Sequence, residues 1–531
     1  MKFKNHSSVF VIVILIIVQI SCRKSEKEQA ITVLPDAQAG FVNLEPDVYQ
    51  VDKVEYAAHS GTIVVTENRS KPDSRLIALP IVRVHAIGDS IAEPILYLSG
   101  GPGISNMGSY RFVNDLIENH DIVLVGYRGV DGSVVLDCPE IDEFFSNLPG
   151  DLTEQVTLDS MAAAYSHCAR RLQNQGIDTD GYNITEVVQD MEDVRLALGY
   201  NRINLLSSSY GTRLAMIYAW MYPKSIHRSA MISVNPPGHF VWHPDVIDEQ
   251  IMYYSKLFKK DPECSGRTDD LAETIREAAH NMPDHWLFFP IKKGNVLLGT
   301  FMMLYHTSTA PKIFDAWIAA GDGDWSGLAL LSIAVDFMLE GASVWGESAA
   351  KALSADYIFD PESDPLAELM PPNSIIGAPG SLAGIAGAKG WPANMIADSL
   401  RRVRPSDVPT LLISGNIDFS TPAGFARDEL LPSLKNGHQV ILSEFGHTGD
   451  VWGKQPEALI YMLKTFYNTG VVDDSRFTYS PMSFKVGLSY PTIMKLGVAG
   501  AIFIIMILLG IIWLVVRKIR RKKLHQKAQL A

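Results

Sequence analysis

The sequence is short of cysteine, of positive charge and of repetition. Among 531 residues there are only 4 cysteines. No two of them have the Cys-x-x-Cys spacing of a metal knuckle, so a structural zinc site has no ligand set. Lys and Arg number 46 against 59 Asp and Glu, a formal net charge of -13. A phosphate backbone attracts basic surfaces, so nucleic acid is excluded as an electrostatic partner. There is no internal repeat and no extended low-complexity tract, which removes solenoid and disordered architectures. What is present is 47% hydrophobic and 9% aromatic residues, enough to bury a large core over two or three average domains.

The two long apolar runs lie at the ends. Lys2 and Lys4 precede SVFVIVILIIVQIS, which has the length of a signal-peptide core, and Cys22 follows Ser21. A small residue before a cysteine, then RKSEKEQ, resembles a bacterial lipoprotein cleavage site with Cys22 as the lipidated residue. Gln19 stands where an aliphatic residue is usual, so an uncleaved signal anchor stays open beside it. At the other end LGVAGAIFIIMILLGIIWLVV, 496–516, is uncharged and apolar on every face, long enough to cross a hydrocarbon layer of about 30 Å. Arg517, Lys518, Arg520, Arg521, Lys522, Lys523 and Lys527 follow with no acid. The positive-inside tendency puts that tail in the cytoplasm and the rest outside, on the periplasmic or extracellular side of the cell membrane. Export permits disulfides. With Cys22 assigned to lipid, Cys138 and Cys168 are near enough in sequence to bridge, and Cys264 is left over.

Between the ends, 23–55 is polar and mixed and reads as a tether. GTIVVTENRSKPDSRLIALPIVRVHA, 61–86, reads as a hairpin. Short apolar runs then alternate with helical patterns: PILYL, DIVLVG, INLLS, AMISV, PTLLIS and QVILSEF. Strands buried on both faces and alternating with helices predict a mostly parallel sheet in an α/β fold. The rhythm breaks over 236–400, helical and rich in Trp and Met, which predicts a helical cap inserted between core parts 56–235 and 401–470. A juxtamembrane linker, 471–495, the membrane helix 496–516 and the tail 517–531 complete the order.

Chemistry concentrates at strand ends. INLLSSSYGTRLAMIYAWMYP, from residue 203, is strand, tight turn and helix. In a nucleophile elbow a serine occupies the apex, with small residues two before and two after it so that strand and helix can approach. Only Ser209 fits, flanked by Ser207 and Gly211; Ser208 would put Leu206 and Tyr210 in those positions. Upstream, LYLSGGPG ends a strand in Ser99, Gly100, Gly101, Pro102 and Gly103. Glycines there let backbone N–H groups face a developing oxyanion, together with the N–H of Tyr210 after the nucleophile. Downstream, Asp418 in SGNIDFSTP and His447 in SEFGHTGD each follow a strand. A serine hydroxyl needs a base to take its proton, and the imidazole needs a carboxylate to fix its tautomer. His438 precedes its strand, at the wrong end of the sheet, and Asp450 follows the histidine in place of preceding it.

With these residues the chain resembles the α/β-hydrolase fold and, within it, the proline iminopeptidase and tripeptidyl aminopeptidase family of serine exopeptidases, over roughly 55–470. SGGPG, GYRGVDGS, SSSYGT, GNIDFSTP and FGHTG are similar to the family's loop, arginine, elbow, aspartate and histidine motifs, and DCPE with HCARRL is similar to the tripeptidyl branch. The resemblance implies Ser209 as nucleophile, Asp418 and His447 as its partners, and the N–H groups of Gly101 and Tyr210 as the oxyanion hole. Three positions depart from the family: Ser99 for a histidine, Gly126 for an aspartate and Ser207 for a glycine. The family binds a free N-terminal amine through cap carboxylates, for which Asp245, Asp248, Glu249, Asp261 and Glu263 are candidates here.

These readings lead to an exported, membrane-anchored serine aminopeptidase that acts on short peptides with a free N-terminus, by one residue or tripeptides at a time, with no metal or organic cofactor. A carboxylesterase or lipase-like hydrolase using the same triad is the alternative within the chemistry. A catalytically silent hydrolase-fold binding protein is the alternative outside it.

Overall fold

The computed structural model describes residues 31–339, 341–357 and 360–529. The lipoprotein or signal segment 1–22, with Cys22, lies outside the described residues.

Strands β1 (Val42–Val51), β2 (Val54–Thr66), β3 (Leu76–Val84), β4 (Ile95–Leu98), β5 (Ile122–Val125), β6 (Ile203–Ser208), β7 (Ile226–Ile232), β10 (Thr410–Gly415) and β11 (Gly437–Leu442) form one sheet, in the order β1-β2-β3-β5-β4-β6-β7-β10-β11. The first three pair antiparallel with one another and with β5. From β5 to β11 every pairing is parallel. The side chains explain the split. ILYL, IVLV, INLLSS and TLLISG are buried along their whole length, as parallel strands between two helix layers must be. β1 is mostly exposed, with Pro46 at its centre, a residue that only an edge strand tolerates.

β1 occupies 42–51, so the predicted tether 23–55 is too long: most of its second half belongs to the sheet. Val42 and Leu44 point into the core cluster, but Pro46 and Asp47 interrupt the alternation that would mark a strand.

Among the described residues between β7 and β10 the regular elements are helices, apart from a hairpin of two-residue strands, β8 (His285–Trp286) and β9 (Phe289–Pro290). Helices Pro244–Lys260, Lys293–Met303, Ala310–Gly321, Ser326–Met338 and Trp345–Asp356 build a cap above the carboxyl ends of the parallel strands. Cap and core share one apolar cluster: Phe301 of the cap stacks edge-on to Phe419 of the core at 4.7 Å.

The C-terminal helix runs Tyr490–Gln529 and is long and apolar enough over Tyr490–Arg521 to cross a membrane. It begins six residues before the expected 496 because Tyr490 and Met494 pack on the cap. The segment before it is no loose linker either. Phe484 is buried against Phe258 and Phe314. Cys138 and Cys168 are disulfide-bonded, with Cα atoms 5.4 Å apart, and Cys264 is free and buried.

Candidate active site

β6 ends at Ser208, and the chain turns sharply into helix Gly211–Met221. Ser209 at the apex has φ of +53°, a left-handed conformation that a side-chain-bearing residue adopts only where its surroundings enforce it. The Ser209 N–H donates to Ile232 O at 2.8 Å, and its carbonyl accepts from the N–H of Thr212 at 2.9 Å and from its hydroxyl at 2.6 Å. Glycine is required at two places around the turn. A Cβ at Gly211 would stand 2.2 Å from Leu98 O, and one at Gly100 would stand 2.8 Å from the Ser209 Cβ. Ser207 is buried, its hydroxyl donating to Ala230 O at 3.3 Å, so a hydroxymethyl group fits in its position.

Asp418 follows β10 and His447 follows β11. The Asp418 carboxylate is buried and accepts from the N–H groups of Ser420 and Thr421, both at 3.0 Å, and from the Thr421 hydroxyl at 2.7 Å. His447 Nδ1 lies 2.8 Å from Asp418 Oδ2, and its Nε2 lies 2.9 Å from Ser209 Oγ. With a proton on Nδ1 donated to the carboxylate, Nε2 accepts from the serine hydroxyl, the polarity that general-base catalysis needs. Burial alone would raise the Asp418 pKa, but His447 and the Thr421 donors together bring it below the usual carboxylate value.

Gly101 and Tyr210 flank Ser209 in the wall of a cavity of about 730 Å³. Among the described residues neither backbone N–H has a protein acceptor, so both are available to an oxyanion. Pro102 shares that wall. Gly103, with φ of +78°, turns the loop away beneath the cap.

The corner at Gly126 has no room for a side chain: a Cβ would meet Pro80 at 2.5 Å and Asp131 at 2.6 Å. Asp131 supplies a carboxylate there, accepting from the N–H of Tyr127 at 2.8 Å and of Asn106 at 3.0 Å.

The cavity wall differs from the expectation. It is built from apolar and aromatic side chains such as Phe145, Met161, Tyr165, Phe240, Trp345 and Leu353, and among the described residues it contains no Asp or Glu. None of the five cap acids reaches it. Asp248 accepts from the Ser374 hydroxyl and the Ile375 N–H. Asp261 accepts from the Glu263 N–H, and Glu263 pairs with Lys485. Asp245 and Glu249 are likewise no part of the wall. Counting acids by composition locates them in the cap but says nothing of which way they face.

Other residues enter that the motifs did not indicate. Tyr305 O accepts the His447 N–H at 2.9 Å, and its ring stands edge-on to the imidazole at 5.2 Å. Asp450, set aside as a rival to Asp418, accepts from Gly446 N–H at 2.9 Å and Thr307 N–H at 3.0 Å, fixing the loop that carries His447 to the cap. His306 lines the cavity beside it, and Asp450 raises its pKa against the opposing effect of partial burial. His438 does not precede its strand but is the second residue of β11, opposite Leu411, and lies outside the site. Asp450 had no motif signal, since its link to the cap comes from Thr307, distant in sequence.

The sheet order, the strained serine turn and the Asp418–His447–Ser209 chain define an α/β-hydrolase fold. The family model described as alpha/beta hydrolase fold matches residues 93–286. The chain is similar to a tripeptidyl aminopeptidase of Streptomyces lividans, 25% identical over 277 residues, 48% of this chain and 51% of that one. It is also similar to the serine protease Hip1 of Mycobacterium tuberculosis, 25% identical over 33% of this chain and 35% of that one. The chain thus spans about half the length of the first of these relatives and a third of the second. Among solved structures, a serine hydrolase from Cycloclasticus zankles overlays on 78% of this chain and 100% of its own at 13% identity, with a TM-score of 0.37.

Proposed function

We propose that this protein is a membrane-anchored serine peptidase that releases N-terminal residues from short peptides through an acyl-enzyme. The observation that carries the reading is the unbroken chain from Asp418 through His447 to the Ser209 hydroxyl, set on a cavity beside two N–H groups without a protein acceptor among the described residues. Ser209 Oγ attacks the scissile carbonyl as its proton passes to His447 Nε2. The carbonyl oxygen becomes an oxyanion held by the N–H groups of Gly101 and Tyr210. His447 returns the proton to the leaving amine as the C–N bond breaks, and the acyl group stays on Ser209. Water then attacks the ester by the same steps, releasing the acid and regenerating the hydroxyl.

The peptide reading leans on the similarity to a tripeptidyl aminopeptidase and to Hip1. The helix Tyr490–Arg521 supports the anchor, and the basic residues after it favour an outer position for the catalytic body. A second reading, an esterase with the same machinery, is favoured by one observation: the described wall offers no carboxylate to a substrate ammonium.

A fluorophosphonate probe tests the chemistry. It is expected to label the protein and to leave Ser209→Ala unlabelled; a folded wild-type protein that stays unlabelled would instead be the silent binding module. Release of chromophore from aminoacyl or tripeptidyl amides supports the peptidase, whereas turnover of acyl esters alone gives the esterase.

A further inference from the structure

The Gly100–Gly103 loop is held from both sides. From the core, Asn106 Oδ1 accepts the Ser99 N–H at 2.9 Å and the Tyr127 hydroxyl donates to Ser99 O at 3.0 Å. From the cap, the Val344 N–H donates to Gly103 O at 2.9 Å, and the Ser343 hydroxyl donates to the same oxygen at 3.4 Å. Glu347, from the helix Trp345–Asp356, reaches down and accepts the Gly103 N–H at 2.7 Å.

Glu347 is wholly buried, an expensive place for a carboxylate unless it is paired. Its partner is Lys351, one turn along the same helix, with Nζ 2.5 Å from Oε1. The Lys351 ammonium also sits 4.1 Å above the Tyr127 ring, and Tyr127 is the residue that holds the start of the loop. One buried ion pair on the cap therefore bonds one end of the segment that carries Gly101 and packs on Tyr127, which holds the other end. A mere structural filler could be any apolar pair; an acceptor at Gly103 has to be an oxygen aimed at that N–H.

We propose that Glu347 is a positioning residue for the oxyanion loop: through Gly103 it holds the Gly101 N–H in register with Ser209, so that seating the cap and assembling the oxyanion hole are one event. This rests on the acyl-transfer reading of Ser209. Wild-type labelling by the fluorophosphonate probe tests that reading alone, and the variants below are compared only in a protein that labels.

Two double variants isolate the bond. Glu347→Met with Lys351→Met removes both charges and leaves no orphan ion, but it takes the acceptor from Gly103. Its kcat is expected to fall about 10- to 100-fold with KM within about twofold, as for loss of a transition-state interaction. Glu347→Gln with Lys351→Met keeps a neutral acceptor and is expected to recover most of that loss. Wild-type kcat in the folded Met pair overturns the proposal, and so does a Gln pair as slow as the Met pair, since packing or charge would then be the cause. Ser343→Ala gives a second handle that leaves the ion pair untouched: faster deuterium exchange in the 99–106 segment with kcat lowered about threefold supports the clasp. Wild-type exchange together with wild-type kcat overturns it.

Discussion

The core and the cap contribute in different ways to the same site. The core supplies the proposed reacting groups, each after a parallel strand and each bonded at least in part to residues a few positions away, as Asp418 is to Ser420 and Thr421. The cap supplies walls and clasps, and its contacts with the core are long in sequence: Glu347 and Gly103 are 244 residues apart, Thr307 and Asp450 143. Local geometry thus sets the reaction that is possible, and distant packing decides what reaches it and how tightly the loops are held.

If that division holds, changes to the core's triad should cost most of the turnover, and changes in the cap should cost stability, selectivity or, at the clasp on Gly103, a smaller part of turnover. The largest expected effect is Asp418→Asn, with kcat lowered by about three to four orders of magnitude through the wrong imidazole tautomer while the thermal transition stays in place. A steady-state assay beside a melting curve checks this, and a loss below about tenfold would assign the role to another carboxylate.

Phe301→Ala comes next. Phe301 is buried where it meets Phe419, Trp242 and Tyr305, so truncation should cost about 3–5 kcal/mol in denaturant unfolding without moving Ser209, Asp418 or His447. Loss of probe labelling in folded protein would mean that the wall also orders the triad.

A smaller effect belongs to His306. Its pKa is raised above the ordinary 6.5 by Asp450, whose Oδ1 lies 3.7 Å away. A raised folded-state value adds stability that is complete below the unfolded value and is lost as pH rises through the folded one. The melting temperature of the wild type should therefore exceed that of His306→Gln most on the acid side, the gap closing as pH rises. A gap that widens with pH would reverse the assignment.

Smallest of all, Asp245→Asn and Glu249→Gln should leave KM for an unblocked peptide amide within about twofold, because neither residue lines the cavity. A rise above about tenfold would return the cap acids to substrate binding.

The same division governs what could be read from the sequence. The serine turn was legible because a tight strand-to-helix crossing tolerates only small residues at 207 and 211, and Asp418 and His447 because each follows a recognisable buried strand. The sheet from β4 onward was legible for the same reason, and its alternation with helices pointed to the α/β-hydrolase fold. β1 was not, since Pro46 and Asp47 break its alternation. Neither were Glu347, Tyr305 or the part played by Asp450, whose contacts between cap and core are chosen by how the cap sits on the sheet and leave no spacing to recognise. The apolar wall belongs with them: its residues come from many helices and converge only in three dimensions.

The start of the C-terminal helix is bolted to the cap. Pro491 fills the space beside Gly327, Tyr490 donates to Met303 Sδ at 3.7 Å, and Lys495 Nζ meets Asp324 at 2.5 Å. Were that helix embedded in a bilayer, the cap would be the part of the body fixed to it, and any movement between cap and sheet would be a movement of the sheet. The enzyme would then have no slack leash on which to wander, and the height and tilt of its entrance over the lipid surface would be set by the first two turns of the anchor.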